Sequence, residues 1–310
     1  MSEPRLSVEA PHITIGVTCF NAEETIERAL VSALEQDWPN FEIVVVDDGS
    51  SDRSREVITR VAARDSRIKL AFHEVNKGFP TALNTIIANA TGEYLAIFDD
   101  DDVSVPERLR LQYERLTKFQ TEKNTELVFC YGGRDVIHPD GRVVIRRAIG
   151  HVPPEPQGMH AALYLLSRLK PKGTAWGSLG CCTLMAKLST IHKVGCFDPD
   201  FRRVQDREIA VRLSLMGGYL IGVNQTIITQ YVTPTADKAG TIRLKAITSI
   251  VRKHRSNLEE QNLYLFSLAM AHAQFFASKK APWRKRLYLV LAFLLRPRSG
   301  IVVFADRWSI

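Results

Sequence analysis

Four short β-branched runs alternate with helical patterns over the first third of the chain, and that alternation narrows the fold more than any other feature. "HITIGVT", "FEIVVVD", "RIKLAFHE" and "EYLAIFD" read as buried strands. After the first comes "AEETIERALVSALEQ", whose Ile26, Ala29, Leu30, Ala33 and Leu34 share one helical face. "SDRSREVITRVAARD" reads as a second helix with Ser51 or Asp52 as N-cap, and "PTALNTIIANATG" as a third closed by Gly92. "VPERLRLQYERLTKF" follows as a fourth, opened by Ser104 and Pro106. Strand–helix units at this spacing predict right-handed βαβ crossovers and a Rossmann-like, mostly parallel α/β sheet flanked by helices.

Beyond these units the regularity fades. "ELVFCYGG" and "GRVVIRRAI" are expected as strands joined by the turn "HPDG", with "MHAALYLLSRL" and "DREIAVRLSLMGG" as helices and "TIITQYVTPT" closing the body. From about residue 241 the chain is expected to be mostly helical. Charge divides at the same point. From Thr241 onward there are 13 Lys or Arg against 3 Asp or Glu, so the net +7 conceals a slightly acidic body and a strongly basic tail. The domain expectation is therefore a body over 1–240, with halves of about 12–110 and 111–240, and a basic helical extension over 241–310. No basic start followed by an apolar stretch opens the chain. The run Leu287 to Leu295 falls far short of the ~20 residues a spanning helix needs, so no membrane crossing is expected. The five cysteines (Cys19, Cys130, Cys181, Cys182, Cys196) are odd in number and form no CxxC pair. They read as small core residues in a reducing cytoplasm, not as a disulfide framework or a zinc cluster.

In a parallel sheet the strands' carboxyl ends share one edge, where ligands bind. Phe20-Asn21-Ala22-Glu23 follow the first strand, Asp47-Asp48-Gly49-Ser50 the second, Asn76-Lys77-Gly78 the third and Asp99 to Asp102 the fourth. Carboxylates gathered so closely repel and are costly without a cation. Their oxygens suit hard ions such as Mg²⁺ or Mn²⁺, which commonly bridge carboxylates to phosphates. The run "DDDD" at a strand end therefore points to a phosphorylated ligand.

With these residues in hand, the chain resembles the inverting family 2 glycosyltransferases of the GT-A fold. The resemblance rests on "VTCFNAEETIERALVSALEQ", "EIVVVDDGSSDRS", "NKGFPTALNTIIANATGEYLAIFDDDDVSVPERL" and "GCFDPDFRRVQDREIAVRL", over roughly residues 12 to 235. It implies a nucleotide-binding half, an acceptor-binding half and transfer of a sugar from a nucleotide diphosphate, most often UDP, to a glycan or lipid-linked glycan. It implies that Thr18, Phe20, Asn21 and Glu23 line the nucleotide pocket. Asp47 would meet the base, with Asp48 beside it. Lys77 and Gly78 would lie near base and ribose, Asp99 and Asp100 near ribose and phosphates. Asp101 would be the principal ligand of Mn²⁺ or Mg²⁺. Asp206 would be the catalytic base. The family usually has Glu-Asp at that point and an arginine six residues after the aspartate. Here the pair is Gln205-Asp206, with Arg212 in place, so the acceptor contact made by residue 205 departs from the pattern.

Other residues carry weaker signals. Trp176, in "KGTAWGSLG", is a candidate platform for an acceptor sugar or a core residue; Gln205 and Arg212 are further acceptor-site candidates. His138, before Pro139 in a turn, reads as structural, and His151 and His160 lack ligand spacing. Residues 279–300 join basic residues and a tryptophan to an apolar helix, which suits either peripheral contact with an anionic membrane surface or packing on the body. No nucleic-acid motif accompanies the charge, and no nucleic-acid partner is expected. Two competing readings stay open. "AIFDDDDV" also satisfies the haloacid-dehalogenase-type nucleophile pattern with Asp99 and Asp101, though no downstream acidic pair accompanies it. Gln205 leaves room for a non-catalytic nucleotide-sugar binder.

Overall fold

The computed structural model describes residues 10–169, 171–232, 241–279 and 281–296. The first two thirds follow the expected alternation: β1 (Ile13–Cys19), α1 (Ile26–Leu34), β2 (Phe41–Asp47), α2 (Ser54–Ala62), β3 (Ile68–Phe72), α3 (Phe79–Asn89) and β4 (Tyr94–Phe98). Then come β5 (Val103–Ser104), α4 (Arg108–Lys123), β6 (Val128–Ile137), β7 (Val143–Arg146), α5 (Gly158–Ser167), β8 (Met185–Lys187), α6 (Leu188–Val194), α7 (Gln205–Leu215) and β9 (Tyr219–Tyr231). The strands form one sheet in the order β3-β2-β1-β4-β8-β6-β9-β5, with β7 paired to β6. The β3-β2-β1-β4 half is parallel; β8 is antiparallel to both of its neighbours, and β6 runs parallel to β9.

β1, β2 and β4 are buried along their whole length, as strands covered on both faces must be. The pleat of β2 sends Ile43 and Val45 into a core shared with α1, α2 and α4, and Val44 and Val46 into a second core shared with α3, α5, α6 and α7. Each fully buried Ile, Leu or Val of these stripes contributes about 1.5–3 kcal/mol. Gly16 lets β1 lie against α3: a Cβ there would meet Ile86 Cγ2 at 2.5 Å.

The fourth helix opens later than the sequence suggests. Ser104 belongs to the two-residue strand β5, which pairs with β9, and Val105 donates to the Ile227 carbonyl. The backbone groups before Pro106 are thus satisfied by a strand, and α4 begins at Arg108. Gly92 also lies beyond the end of α3, whose cap is Ala90. Its role is close approach, since a Cβ would sit 2.5 Å from the Thr14 amide nitrogen. The "HPDG" turn forms as expected and joins β6 to β7.

The tail consists of α8 (Thr241–Lys253), α9 (Arg255–Glu260), α10 (Tyr264–Ser278) and α11 (Pro282–Leu295). Ile250, Val251, Leu258, Phe266, Met270 and Ala273 join the same core as Leu165, Phe201 and Ile209. Lys253 Nζ bridges Asp198 at 2.5 Å and the fully buried Glu208 at 2.7 Å. The tail therefore braces α7, the helix that carries Asp206. No helix among the described residues is long and apolar enough to cross a membrane.

Candidate active site

The carboxyl ends of β1 to β4 open onto one cavity of about 590 Å³. It is lined by Thr18, Cys19, Phe20, Asp48, Asn76, Gly78 and Phe79, with Asp99, Asp100 and Asp101 on one wall and Arg202 and Arg203 on another. An adjoining hollow runs from Phe20, Asn21 and Glu23 to Asp52, Asp100 and Asp101. A third, of about 570 Å³, contains Gln205 and Asp206 and shares Arg203 with the first.

Loop chemistry fixes these residues. Asp48 accepts the amides of Lys77 at 2.9 Å and Gly78 at 2.8 Å, and pairs with His73 Nδ1 at 2.7 Å. One carboxylate thereby ties the ends of β2 and β3 together. Gly78 has φ +96°, a conformation that glycine tolerates, and Arg202 lies 3.0 Å from where its Cβ would be. Asn21 Oδ1 accepts the Ser51 amide at 2.8 Å, and Glu23 Oε2 accepts the Arg53 amide at 2.9 Å. Both side chains hold the loop before α2, where Asp52 also accepts the Ser54 amide at 3.0 Å.

The aspartate run is held from several sides. Asp100 Oδ2 accepts the Phe20 amide at 3.0 Å, Arg28 donates to the Asp101 carbonyl at 3.0 Å, and Gln230 reaches Asp102 Oδ2 at 3.4 Å. Beneath it lies Arg108, 1% exposed, which donates to the Ile97 carbonyl, Ser104 and Gln112 and sits 3.7 Å over the Phe98 ring. Burial, with Asp101 close by, pushes Asp99 up to about 7. Burial also pushes Asp100 and Asp102 up to about 8, with neighbouring carboxylates adding to it. Asp99 Oδ1 and Asp102 Oδ1 are buried without a hydrogen-bond partner, and ligand atoms of Asp99, Asp102 and Cys182 lie within 4.8 Å of one another. Orphaned carboxylate oxygens with raised proton affinity fit a hard divalent cation. Burial keeps the Cys182 thiol well above its ordinary value, which makes the carboxylates the better ligands.

Asp206 stands in the first turn of α7. The residue that enters the helix, Val204, has φ +60°, a strained conformation for a β-branched side chain. Asp206 Oδ1 accepts the Arg207 amide at 2.7 Å, and its charge is felt at Asp99 across the shared wall.

The remaining sequence candidates lie differently. Asp47 is fully buried and lines none of these cavities; its Oδ2 holds Arg55 at 2.6 Å and the Ser50 amide at 3.2 Å, and its Oδ1 has no partner. Lys77 lines none of these cavities; its amide donates to Asp48 at 2.9 Å. Trp176 is buried at 8% exposure, with Nε1 on the Pro154 carbonyl at 2.9 Å and its ring edge-on to Tyr164. Tyr164, not Trp176, faces the cavity beside Asp206. The Arg212 guanidinium is taken up by the Val194 and Cys196 carbonyls and by Glu208 at 2.7 Å. Arg212 thus fixes the turn before α7 and lines none of these three cavities. The sequence reading missed Arg202 and Arg203; their signal was position, just before Gln205-Asp206.

Residues 14–132 match the family described as "Glycosyl transferase family 2". An Escherichia coli protein, "UDP-Glc:alpha-D-GlcNAc-diphosphoundecaprenol beta-1,3-glucosyltransferase WfgD", is 34% identical over 126 residues, which are 41% of this chain and 47% of that one. The chain spans about half the length of this relative, and less of several others. Among solved structures, S. aureus TarS 1-349 in complex with UDP-GlcNAc superposes with a TM-score of 0.63 at 17% identity, over 93% of this chain and 82% of that one. The mannosyltransferase PcManGT from Pyrobaculum calidifontis, in complex with GDP-Man and Mn²⁺, gives 0.57 at 17% identity over 96% and 80%. Residues 14–132 thereby belong to glycosyl transferase family 2, on a chain with the GT-A fold.

Proposed function

We propose that the protein is a metal-dependent inverting glycosyltransferase that moves a sugar from a nucleotide diphosphate, UDP first, to a hydroxyl of a glycan or lipid-linked glycan in polysaccharide synthesis. The observation that carries this reading is the juxtaposition of Asp99–Asp101 and Asp206 in adjoining cavities that share Arg203. The family match over residues 14–132 supports it, as do one relative named for UDP-Glc and complexes holding UDP-GlcNAc or GDP-Man.

In this reading the nucleotide occupies the first cavity. Asp47, fully buried and lining none of the cavities, does not reach the base; it fixes the end of β2 through Arg55 and the Ser50 amide. Thr18, Phe20, Asp48 and Gly78 enclose base and ribose. Asp101, with Asp99 beside it, would hold a divalent cation, Mn²⁺ or Mg²⁺, which would supply positive charge to offset that of the leaving diphosphate. Arg202 and Arg203 face the same space. Asp206 takes the proton of the acceptor hydroxyl as its oxygen bonds to the anomeric carbon. The bond from that carbon to the diphosphate oxygen breaks, and its electron pair leaves with the diphosphate. Attack from the opposite face inverts the centre. General-base help of this kind is worth roughly 10²- to 10⁴-fold.

Contact with an anionic membrane surface belongs to the same reading. On α11, Trp283 is 64% and Leu294 68% exposed, and Arg284, Lys285 and Arg286 stand beside Trp283. Lys280 and residues 297–300 of the expected segment lie outside the described residues.

The test combines binding and turnover. UDP should raise the melting temperature only weakly alone and clearly with Mn²⁺. Asp206→Asn should keep that shift and lose transfer by about 10²-fold or more. Undiminished transfer by Asp206→Asn would remove Asp206 as the base. No shift with any UDP- or GDP-linked ligand would remove the donor site.

A further inference from the structure

The cavity beside Asp206 holds more positive charge than proton abstraction requires. Its lining includes Arg134, Arg146, Arg168, Arg203, Arg207 and Arg243, against the single carboxylate of Asp206. They converge from separate elements. Arg134 and Arg146 are register partners across β6 and β7. Arg168 follows α5 with φ +64°; Arg207 lies in the first turn of α7 and Arg243 in the first turn of α8. Arg134 is held by the Leu179 carbonyl at 3.0 Å and Ser178 at 3.2 Å. Among the described residues, Arg146, Arg168, Arg207 and Arg243 form no salt bridge with a carboxylate. Tyr164, whose hydroxyl donates to the Gly177 carbonyl at 3.1 Å, presents a ring on the same wall.

Guanidinium groups gathered at this density repel one another. Burial, with Arg168 and Arg243 near, brings Arg207 down to about 9. An anion relieves the conflict, and planar guanidinium forks match phosphate oxygens bidentately. We infer that this cavity is a subsite for an oxyanion carried by the acceptor, a phosphate or diphosphate on the sugar whose hydroxyl Asp206 faces. The word acceptor rests on the transfer reading above; the anion subsite itself rests on the arginines. Several guanidiniums suit a multiply charged phosphate better than a single carboxylate.

The experiment is calorimetric titration of the full chain loaded with UDP and Mn²⁺. The titrants are N-acetylglucosamine 1-phosphate, its neutral methyl glycoside and glucuronic acid. The sugar phosphate should bind about tenfold or more tighter than the methyl glycoside, and less tightly as salt is raised. A short-chain prenyl diphosphate sugar should bind tighter still if the source is a lipid-linked acceptor, and equally if it is a free sugar phosphate. The double variant Arg168→Gln/Arg207→Gln should lose the phosphate advantage and keep its affinity for UDP. Should that variant fail to fold, Arg146→Gln/Arg243→Gln, two exposed rim positions, should lose part of the same advantage. Equal binding of phosphate and methyl glycoside, displacement of UDP by the sugar phosphate, or variants that bind it unchanged would overturn the subsite. Glucuronic acid binding as tightly as the phosphate would overturn the phosphate assignment. If UDP itself does not bind, the donor-site reading falls, and the same titration without UDP still decides the arginines.

Discussion

The cavity at the rim of the parallel strands gathers Asp99, Asp100 and Asp101, while its neighbour gathers six arginines around Asp206. Each concentrates one sign of charge under partial burial, and each shows its cost as displaced proton affinity. Asp100 rises to about 8, and Arg207 falls to about 9. The difference lies in what offsets the charge inside the protein. The acidic side has a buried internal counter-ion in Arg108, whose charge acts on both Asp99 and Asp102. Among the described residues that line it, the basic side has one carboxylate, that of Asp206. In the reading proposed above, the acidic cluster with Arg108 beneath it is the metal site. In the inference drawn above, the arginine-lined cavity takes an oxyanion.

The largest effect should come from removing that counter-ion. Arg108→Leu should lower stability in urea unfolding by about 3–5 kcal/mol, because it leaves buried carboxylates facing an apolar group. Arg108→Lys should recover little, since one ammonium cannot span the Ile97 carbonyl, Ser104 and Gln112 together. Near-normal stability of Arg108→Leu would break the contrast between the two cavities.

A smaller effect concerns pH. The native state holds protons on Asp99, Asp100 and Asp102 that the unfolded chain has lost above the ordinary carboxylate range. Stability without metal should therefore fall as pH rises from about 4 through 8 in melting experiments. Mn²⁺ should flatten or reverse that slope. A metal-free protein whose stability rises over this window would show that the carboxylates are compensated by other means.

The smallest effect has the opposite sign. Arg207 has a depressed proton affinity in the fold, so its charged form costs stability below about pH 9 and the cost fades above it. Arg207→Gln should raise the melting temperature slightly, by a few tenths to about 1 kcal/mol of stability, as removal of a functional strain does. A lowered melting temperature would mean that this guanidinium already has its partner.

The parallel half of the sheet was legible because buried central strands leave continuous runs such as "FEIVVVD", and the polar residues closing them sit at fixed positions by topology. Asp99–Asp101 and Asp48 could be read as rim residues for that reason. β5 and β8 could not, being two and three residues long and formed only because β9, β4 and β6 present free edges. Trp176 and Arg212 show a second limit. Sequence gives an aromatic or a cation near the site, but side-chain direction depends on Pro154, Val194 and Cys196, which sequence spacing does not bring close.

By itself, then, the order of residues determined the alternation of strands and helices and the acidic rim, since both follow from local periodicity and from where a parallel strand must end. Only the tertiary structure decided that arginines spread from Arg134 to Arg243 meet around Asp206, and that Lys253 of the tail fastens the helix carrying it. No short-range pattern encodes either one, because both arise where β6, α5, α7 and α8 are brought together by a shared core, with β7 paired to β6.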